Sequence, residues 1–452
     1  MGEKSTAFEQ ACQLSFDEEH WQKINYSTSC YERNYAKSLA HYRNIELEKQ
    51  RAYKYRNRSI LNLEKLLVDF ETHFTDNGGT VLWARHADDA LQMIDDIIAK
   101  SGARSVARSN SSVLDEIGLN NHLKKKSIDL VETNIGRFIL NVGRMAPYHP
   151  MFTTINLSKE EINGVLTEHF KLKSSSTSRQ MVNFIRYQLS QQIADCNVSI
   201  TGANFLIADT GGVVITENED NILNATNTSK INIVVAGIAK VITSAEDLSV
   251  LLPLLSMHAQ GQRMATINSI TYGPSLMQGD ENMIVILLDN GRTRVLVDEK
   301  QRQIMSCIHC GACASVCPVY KNIGGYAYNS PYMGPLGIIM TPLKEGTKKY
   351  QHLASACSLC RRCTEICPVG IPLDNLILEN RHIIANEQVG DPKAEALFKT
   401  MIRHCKSRKR LDCPLWLKKI EVKRFFPKSG SKPLPQFAPK SFSQMWKDRE
   451  VI

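Results

Sequence analysis

Apolar positions in the first 75 residues recur at helical spacing. Ile60, Leu63, Leu67, Phe70 and Phe74 fall three and four apart on one face, which predicts a leading helix packed on the next domain within a charged N-terminal segment, residues 1–74. From Thr80 the rhythm changes. Short apolar runs, TVLWAR, RSVA and IDLVE, alternate with amphipathic stretches; residues 87–100 carry Ala90, Leu91, Ile94 and Ile98 on one face, and another helix is expected near 113–126. After Ser178 a helix reaching Cys196 leads into FLIAD, GVVIT, INIVVAGIA and MIVILL, separated by TGG, NEDN and NATN turns. This βαβα alternation makes residues 75–298 one α/β domain with a largely parallel, helix-covered sheet. The longest nearly apolar run, residues 231–242, contains Asn232 and Lys240 and falls well short of the ~20 residues a bilayer crossing needs, so no transmembrane segment is expected.

Composition narrows the class further. The chain has 452 residues, 43% of them hydrophobic and 22% charged, which excludes a disordered or collagen-like protein. Its net charge of +9 is concentrated near the C-terminus, where residues 399–432 hold 12 Lys or Arg against only Asp412 and Glu421. Without an RNA-binding or helix-turn-helix signature, that basic extension, residues 386–452, reads as a partner-docking or solvated tail; no nucleic acid is expected, and peripheral contact with a membrane stays open. The N-terminal stretch MGEKSTAFEQACQLSFDEEH has neither a secretory nor a transit-peptide pattern, so the expected location is cytoplasmic.

The candidate chemistry lies in the cysteines. Ten of the 13 fall in the last third, and eight of these form two copies of C-x2-C-x2-C-x3-C-P: Cys307, Cys310, Cys313 and Cys317 before Pro318, then Cys357, Cys360, Cys363 and Cys367 before Pro368. A structural zinc site has no use for four thiols at these gaps twice over. Three thiolates at two-residue gaps can wrap three irons of one cubane, whereas the fourth points away and, in two-cluster ferredoxins, ligates the other cluster. The expected sets are therefore crossed: Cys307, Cys310, Cys313 and Cys367 for the first [4Fe-4S] cluster, and Cys357, Cys360, Cys363 and Cys317 for the second. The 39 residues between the cassettes exceed what a compact hairpin ferredoxin uses and predict an α-helical module over 299–385. Cys405 and Cys413 read as free thiols, and His309 as a residue that tunes the first cluster without ligating iron.

The segments CIHCGACASVCPVYKNIGGYAY, YMGPLGIIMTPL and SLCRRCTEICPVGIPLDNLI resemble the iron-sulfur proteins of bacterial lactate utilization, the lactate utilization protein B family. Upstream, ARSNSSVLDEIGLNNHL, VETNIGRFILNV and TGANFLIADTGGVVITENEDN are similar to the segments that define the lactate-utilization domain, so the resemblance covers roughly residues 60–385. It implies an isomerase or coenzyme A transferase-like α/β fold, a ferredoxin-type module with two [4Fe-4S] clusters, and membership of a three-protein system oxidising L-lactate to pyruvate. Two positions depart from the family pattern: Asp209 stands where many relatives have Glu, and Arg108 where many have Lys. The shorter reach of Asp209 argues against a direct chemical role.

Candidate anion or substrate ligands are Arg108, Ser109 and Ser111, which follow an expected strand; Asn204, Asp209 and Thr210 in glycine turns; and His149, which matches a family histidine. Each has an ordinary alternative: Ser112 with Asp115 as a helix cap, the glycines as turn geometry, His149 as a solvated loop residue. No G-x-G-x-x-G supports a nucleotide cofactor. Three functions stay open at this point: an electron-transfer subunit of a lactate-oxidising complex, a self-sufficient hydroxy-acid dehydrogenase with a small hydroxy- or keto-acid ligand, and a cluster-bearing scaffold of another dehydrogenase assembly.

Overall fold

The described residues form ten strands, among them all the alternating apolar runs: β1 Thr80–Ala84, β2 Ser105–Arg108, β3 Asp129–Glu132, β4 Val198–Gly202, β5 Phe205–Ile207, β6 Gly212–Glu217, β7 Ile231–Gly237, β8 Val241–Ile242, β9 Ile267–Thr271 and β10 Asn282–Leu288. In this computed structural model the described residues are 8–274 and 282–387, with 396, 399–400, 402–403, 406–407, 440 and 442–449 beyond them. The basic stretch 399–432 lies almost entirely outside the described residues, and Cys405 and Cys413 wholly so.

Six strands form an all-parallel sheet in the order β1-β10-β7-β4-β2-β3. Successive residues of a strand face opposite ways, so Ile233, Val235, Ile286 and Leu288 pack with Ala90, Leu91, Ile94 and Ile98 of the helix Ala87–Ser101. Val234, Ala236, Val285 and Leu287 face Leu63, Leu67, Phe70 and Phe74 of the helix Leu63–Asp76 on the other side. The helix Ala87–Ser101 starts in a capping box between His86 and Asp89 and stops at Gly102 in the left-handed region.

The runs FLIAD and GVVIT leave this sheet. They pair antiparallel as β5 and β6 in a separate mixed sheet of order β8-β5-β6-β9. Only Ala208, Asp209, Thr210 and Gly211 join β5 to β6, too few for a parallel crossover, which takes a dozen or more residues. Gly211 is required there: its φ is +65°, and a Cβ would stand 2.4 Å from the Phe74 backbone nitrogen. Two helix expectations also change. The described N-terminal segment contains a short 3-10 helix, Cys12–Phe16, and the α-helices Glu18–Leu39, Ile45–Leu61 and Leu63–Asp76, so Ile60 lies on a different helix from Leu63. The expected helix 113–126 divides at Gly118, φ +70°, into Ser112–Glu116 and Leu119–Lys125.

After β10 the described chain to residue 387 is helical, with the cassettes carried on short helices that include Ala312–Ser315, Pro318–Ile323 and Arg362–Ile366. Cys310, Cys317, Cys363 and Cys367 belong to the same apolar core as Phe205 and Val214 of the mixed sheet and Leu251 and Leu255 of the helix Leu248–Gln260. Met1–Ile383 is one compact unit and Ile384–Ile452 another. In the second, the described helix Phe442–Arg449 carries an ion pair from Lys440 to Asp448 at 2.7 Å.

Candidate functional site

The two cassettes share one backbone design. Residues 309 and 311 of the first, and 359 and 361 of the second, all take positive φ, turning the chain around the thiols; Gly311 does so without strain, whereas His309, Leu359 and Arg361 adopt it as side-chain-bearing residues. In consequence the N–H of His309 donates to Cys307 Sγ at 3.3 Å and that of Leu359 to Cys357 Sγ at 3.3 Å. The N–H groups of Tyr320 and Ile371 donate to the fourth thiols, Cys317 and Cys367, at 3.5 and 3.4 Å. Burial raises the Cys367 thiol to about 11, with the N–H of Ile371 opposing it and Cys307 adding to it. Burial likewise raises Cys317, whose other thiol neighbours are Cys357 and Cys360. Among the described residues no three His, Cys, Asp or Glu side chains close on one point as a single ion would require. An all-thiol donor set with backbone N–H groups on sulfur fits cubane clusters instead, which bind deprotonated cysteines and are tuned by such bonds. Each cassette has two buried thiols, Cys310 and Cys317 in the first and Cys363 and Cys367 in the second; the cassettes differ in that Cys360 is exposed, beside the exposed Arg361 and Arg362, whereas no thiol of the first cassette is.

The parallel sheet changes direction at β2, which pairs with β3 on one side and β4 on the other, and ligand crevices form outside the carboxyl ends of strands at such a point. A cavity of about 250 Å³ lies there. Ser109 to Ser112 line it after β2, Gly202 to Asn204 from the last residue of β4 onward, and Gly237, Ala239 and Lys240 from the last residue of β7 onward; Cys307, His309, Gly311 and Cys313 of the first cassette close it. The β2 and β4 turns approach so closely that a Cβ on Gly202 would stand 2.2 Å from Ser111 Oγ.

Charge is distributed unevenly around this cavity. At one side Glu217 accepts the N–H groups of Asn221, Ile222 and Leu223, and Glu219 accepts Asn134 Nδ2 and the Ile135 N–H. Near the cassette, Arg292 is bound to Glu116, with a shortest contact of 2.7 Å, and Glu116 also holds Lys344, the Tyr332 hydroxyl and Asn290. Lys240 has no hydrogen-bond or ion-pair partner among the described residues. Burial, reinforced by Arg56 and Arg292 and opposed by Cys307, brings it down to about 8, so it is a cation at neutral pH. Arg56, which unlike Lys240 is fully buried, spends its guanidinium on the carbonyls of Ala239, Val241, Met305 and Ser306, fixing the turn after β7 to the start of the first cassette.

Not all the residues singled out in the sequence come together here. Ser109, Ser111 and Asn204 line the cavity. Arg108 does not: it is 0% exposed and engages Glu132 at 2.9 Å and Asp115 at 2.5 Å, so its charge is already matched inside the domain. Asp115 is therefore an ion-pair partner of Arg108 and Arg137, and the helix Ser112–Glu116 has no side-chain cap bond. Asp209 and Thr210 occupy the tip of the β5-β6 hairpin, opposite the end where Asn204 stands, and they line no part of the cavity. His149 is 1% exposed rather than solvated. Its Nδ1 accepts the N–H groups of Met151 and Phe152, leaving Nε2 to donate to Ser315 Oγ at 3.2 Å on the first cassette's helix. Burial lowers it to about 3, so it is a neutral strut between the α/β domain and the cluster module. Lys240, Arg292, Glu116 and Tyr332 were not singled out by sequence reasoning; the available signal was a lysine interrupting the longest apolar run.

A parallel α/β crevice closed by a helical double-cassette module defines a two-domain iron-sulfur protein. Residues 67–297 match the LUD domain and residues 303–371 the 4Fe-4S dicluster domain. The chain belongs to the LUD domain family, and its dicluster domain binds two [4Fe-4S] clusters. It is 35% identical over 344 residues to the uncharacterized electron transport protein YkgF of Escherichia coli K12, covering 75% of this chain and 72% of that one. It is 34% identical over 349 residues to lactate utilization protein B of Bacillus cereus AH820, covering 76% and 73% respectively. A crystal structure of a DUF162 family protein from Deinococcus radiodurans aligns at 13% identity and a TM-score of 0.29, over 50% of this chain and 98% of that one. No helix among the described residues is long and apolar enough to cross a membrane.

Proposed function

We propose that the chain is the iron-sulfur electron-transfer subunit of a cytoplasmic multi-protein system that oxidises L-lactate to pyruvate. The observation that carries this reading is the unequal placement of the cassettes: the first closes the crevice of the α/β domain, and the second presents Cys360 at the surface. Lactate oxidation releases two electrons and two protons, and two one-electron [4Fe-4S] clusters can accept the electron pair. The chain's own residues hold the clusters in the crossed sets, Cys307, Cys310, Cys313 with Cys367 and Cys357, Cys360, Cys363 with Cys317. The thiol neighbours of Cys317 and Cys367 support that arrangement. His149 and Arg56 hold the first cassette, and Glu116 holds Tyr332 and Lys344 of the cluster module, against the crevice. The name of one relative, lactate utilization protein B, supports lactate as the electron source, and that of the other, an electron transport protein, supports the transfer role. The partners are taken to be the two other proteins of such a system, with the basic stretch 399–432 as a docking segment.

A second reading, a dehydrogenase in its own right, draws support from the cavity against the first cassette. An anaerobic titration with L-lactate, followed by electron paramagnetic resonance, separates the two. Cluster reduction only after the partner proteins are added is expected for the electron-transfer subunit; reduction of the purified chain by lactate alone overturns that role in favour of the second reading.

A further inference from the structure

We propose that this chain itself binds a small carboxylate in the cavity between the α/β crevice and the first cassette, with the Lys240 ammonium as its counter-charge. The inference rests on the reading above that electrons come from a hydroxy acid, and it assigns the site of that acid, or of its keto product, to this subunit.

Of the charged side chains lining the cavity, Glu217 and Glu219 are occupied by N–H donors of the protein and Arg292 is matched by Glu116. Lys240 alone among these described residues lacks an ion-pair or hydrogen-bond partner, and it is half-buried at the cavity wall, where a bound anion would be its nearest counter-charge. The carboxylates stand elsewhere in the lining, so an anion is drawn to the Lys240 side, beside Cys307 and His309. Further polar groups face the same space. The Ser109 hydroxyl accepts the Gly202 N–H at 3.3 Å and keeps its own proton to donate. Asn204 Oδ1 accepts the Thr216 N–H, which leaves the Asn204 amide NH2 available. A cavity of about 250 Å³ is large enough for a three-carbon acid. The ordinary alternative for Lys240 is to offset the negative charge of the first cluster alone. Arg56 already brings a buried cation without an ion-pair partner to the start of that cassette, which leaves Lys240 for a ligand.

The test uses the full chain with both clusters, under anaerobic conditions, and pyruvate and L-lactate as probes in calorimetric titrations. Saturable binding of at least one probe is expected, with affinity falling about tenfold or more in Lys240→Met and partly recovered in Lys240→Arg while both cluster signals persist. Unchanged affinity in Lys240→Met, or no binding by the wild type, overturns the proposal. Loss of the first cluster's signal in that variant overturns it too, because the ammonium then belongs to the cluster. A measurement on the wild type alone guards against misfolded variants: carboxyl-13C pyruvate should show a hyperfine coupling to the reduced first cluster, and binding without coupling places the ligand elsewhere. Binding at Lys240 without cluster reduction, even with the partner proteins present, would leave this site standing and remove the electron-transfer reading. Reduction without binding would do the reverse.

Discussion

Glu116 shows how one side chain ties the two domains together. Burial alone would raise its carboxyl, but Arg292 and then Lys344 hold it far below the ordinary value of 4.5, and Tyr332 donates to it from the cluster module. Its folded-state value is depressed, so its ionised form contributes stability above the unfolded value, and that contribution is lost as pH falls through 4.5 toward the folded value. Glu116→Gln should therefore cost about 3–5 kcal/mol at neutral pH, because it leaves two buried cations uncompensated. Denaturation curves should show the wild type and variant converging below about pH 4.5; a difference that stays constant to pH 3 contradicts the ion-pair account. Gly211→Ala is expected to cost more than about 2 kcal/mol, since it adds left-handed strain to a clash with the Phe74 backbone. Chemical denaturation measures it, and a loss under 0.5 kcal/mol would show that the hairpin tip moves freely. Glu116 did not stand out in the sequence, and Gly211 stood out only as part of the TGG turn. Lys240 was visible as an interruption of residues 231–242, but a lysine there gains meaning only once β7 is seen to end at Gly237, and the strand's last residue is set by its neighbours in the sheet.

At the scale of elements, legibility followed how local the determining interactions are. The dicluster module was legible from the spacing of its cysteines, and the helix Ala87–Ser101 from its apolar face, because each is specified by residues close together in sequence. β4 was missed. Its alternate positions, Ser199 and Thr201, are polar and yet buried at 0% and 2%, and Ser199 donates to Asn232 on β7, a partner that no local pattern discloses. The mixed sheet was missed because the turn Ala208 to Gly211, which forces β5 and β6 antiparallel, looks like any other glycine turn between apolar runs. The repeated element carries its own prediction. If Cys317 belongs with the second cassette's thiols, Cys317→Ser should damage the second cluster and spare the first, and Cys367→Ser should do the opposite. Paramagnetic resonance of each reconstituted variant resolves the two signals; damage confined to the cassette that contains the mutated residue would require uncrossed ligation.

For the unit Met1–Ile383, the deciding contacts join residues far apart in sequence: His149 with Ser315, Arg56 with Ser306, Glu116 with Tyr332 and Lys344. A chain read from left to right gives a cofactor module appended to an α/β domain, whereas the apolar core runs from Ala52 and Ile60 through the mixed sheet to the cassette cysteines. A shared core predicts shared unfolding. Bound clusters stabilise only the folded state, so their removal withdraws that free energy from every element that unfolds with the cassettes. Scanning calorimetry of the cluster-loaded protein should then show one main transition for this unit. Removing the clusters with a chelator and oxidant should lower the whole transition, by on the order of 2 °C for each kcal/mol lost. The α/β sheet should report the shift as fully as the cluster module does, for example through Trp83 on β1, whose indole donates to Glu71 at 3.0 Å. If instead Trp83 reports an unchanged transition while the cassettes melt separately, the two domains only touch, and the crevice is not held closed by the first cassette in the way the contacts of His149, Arg56 and Glu116 require.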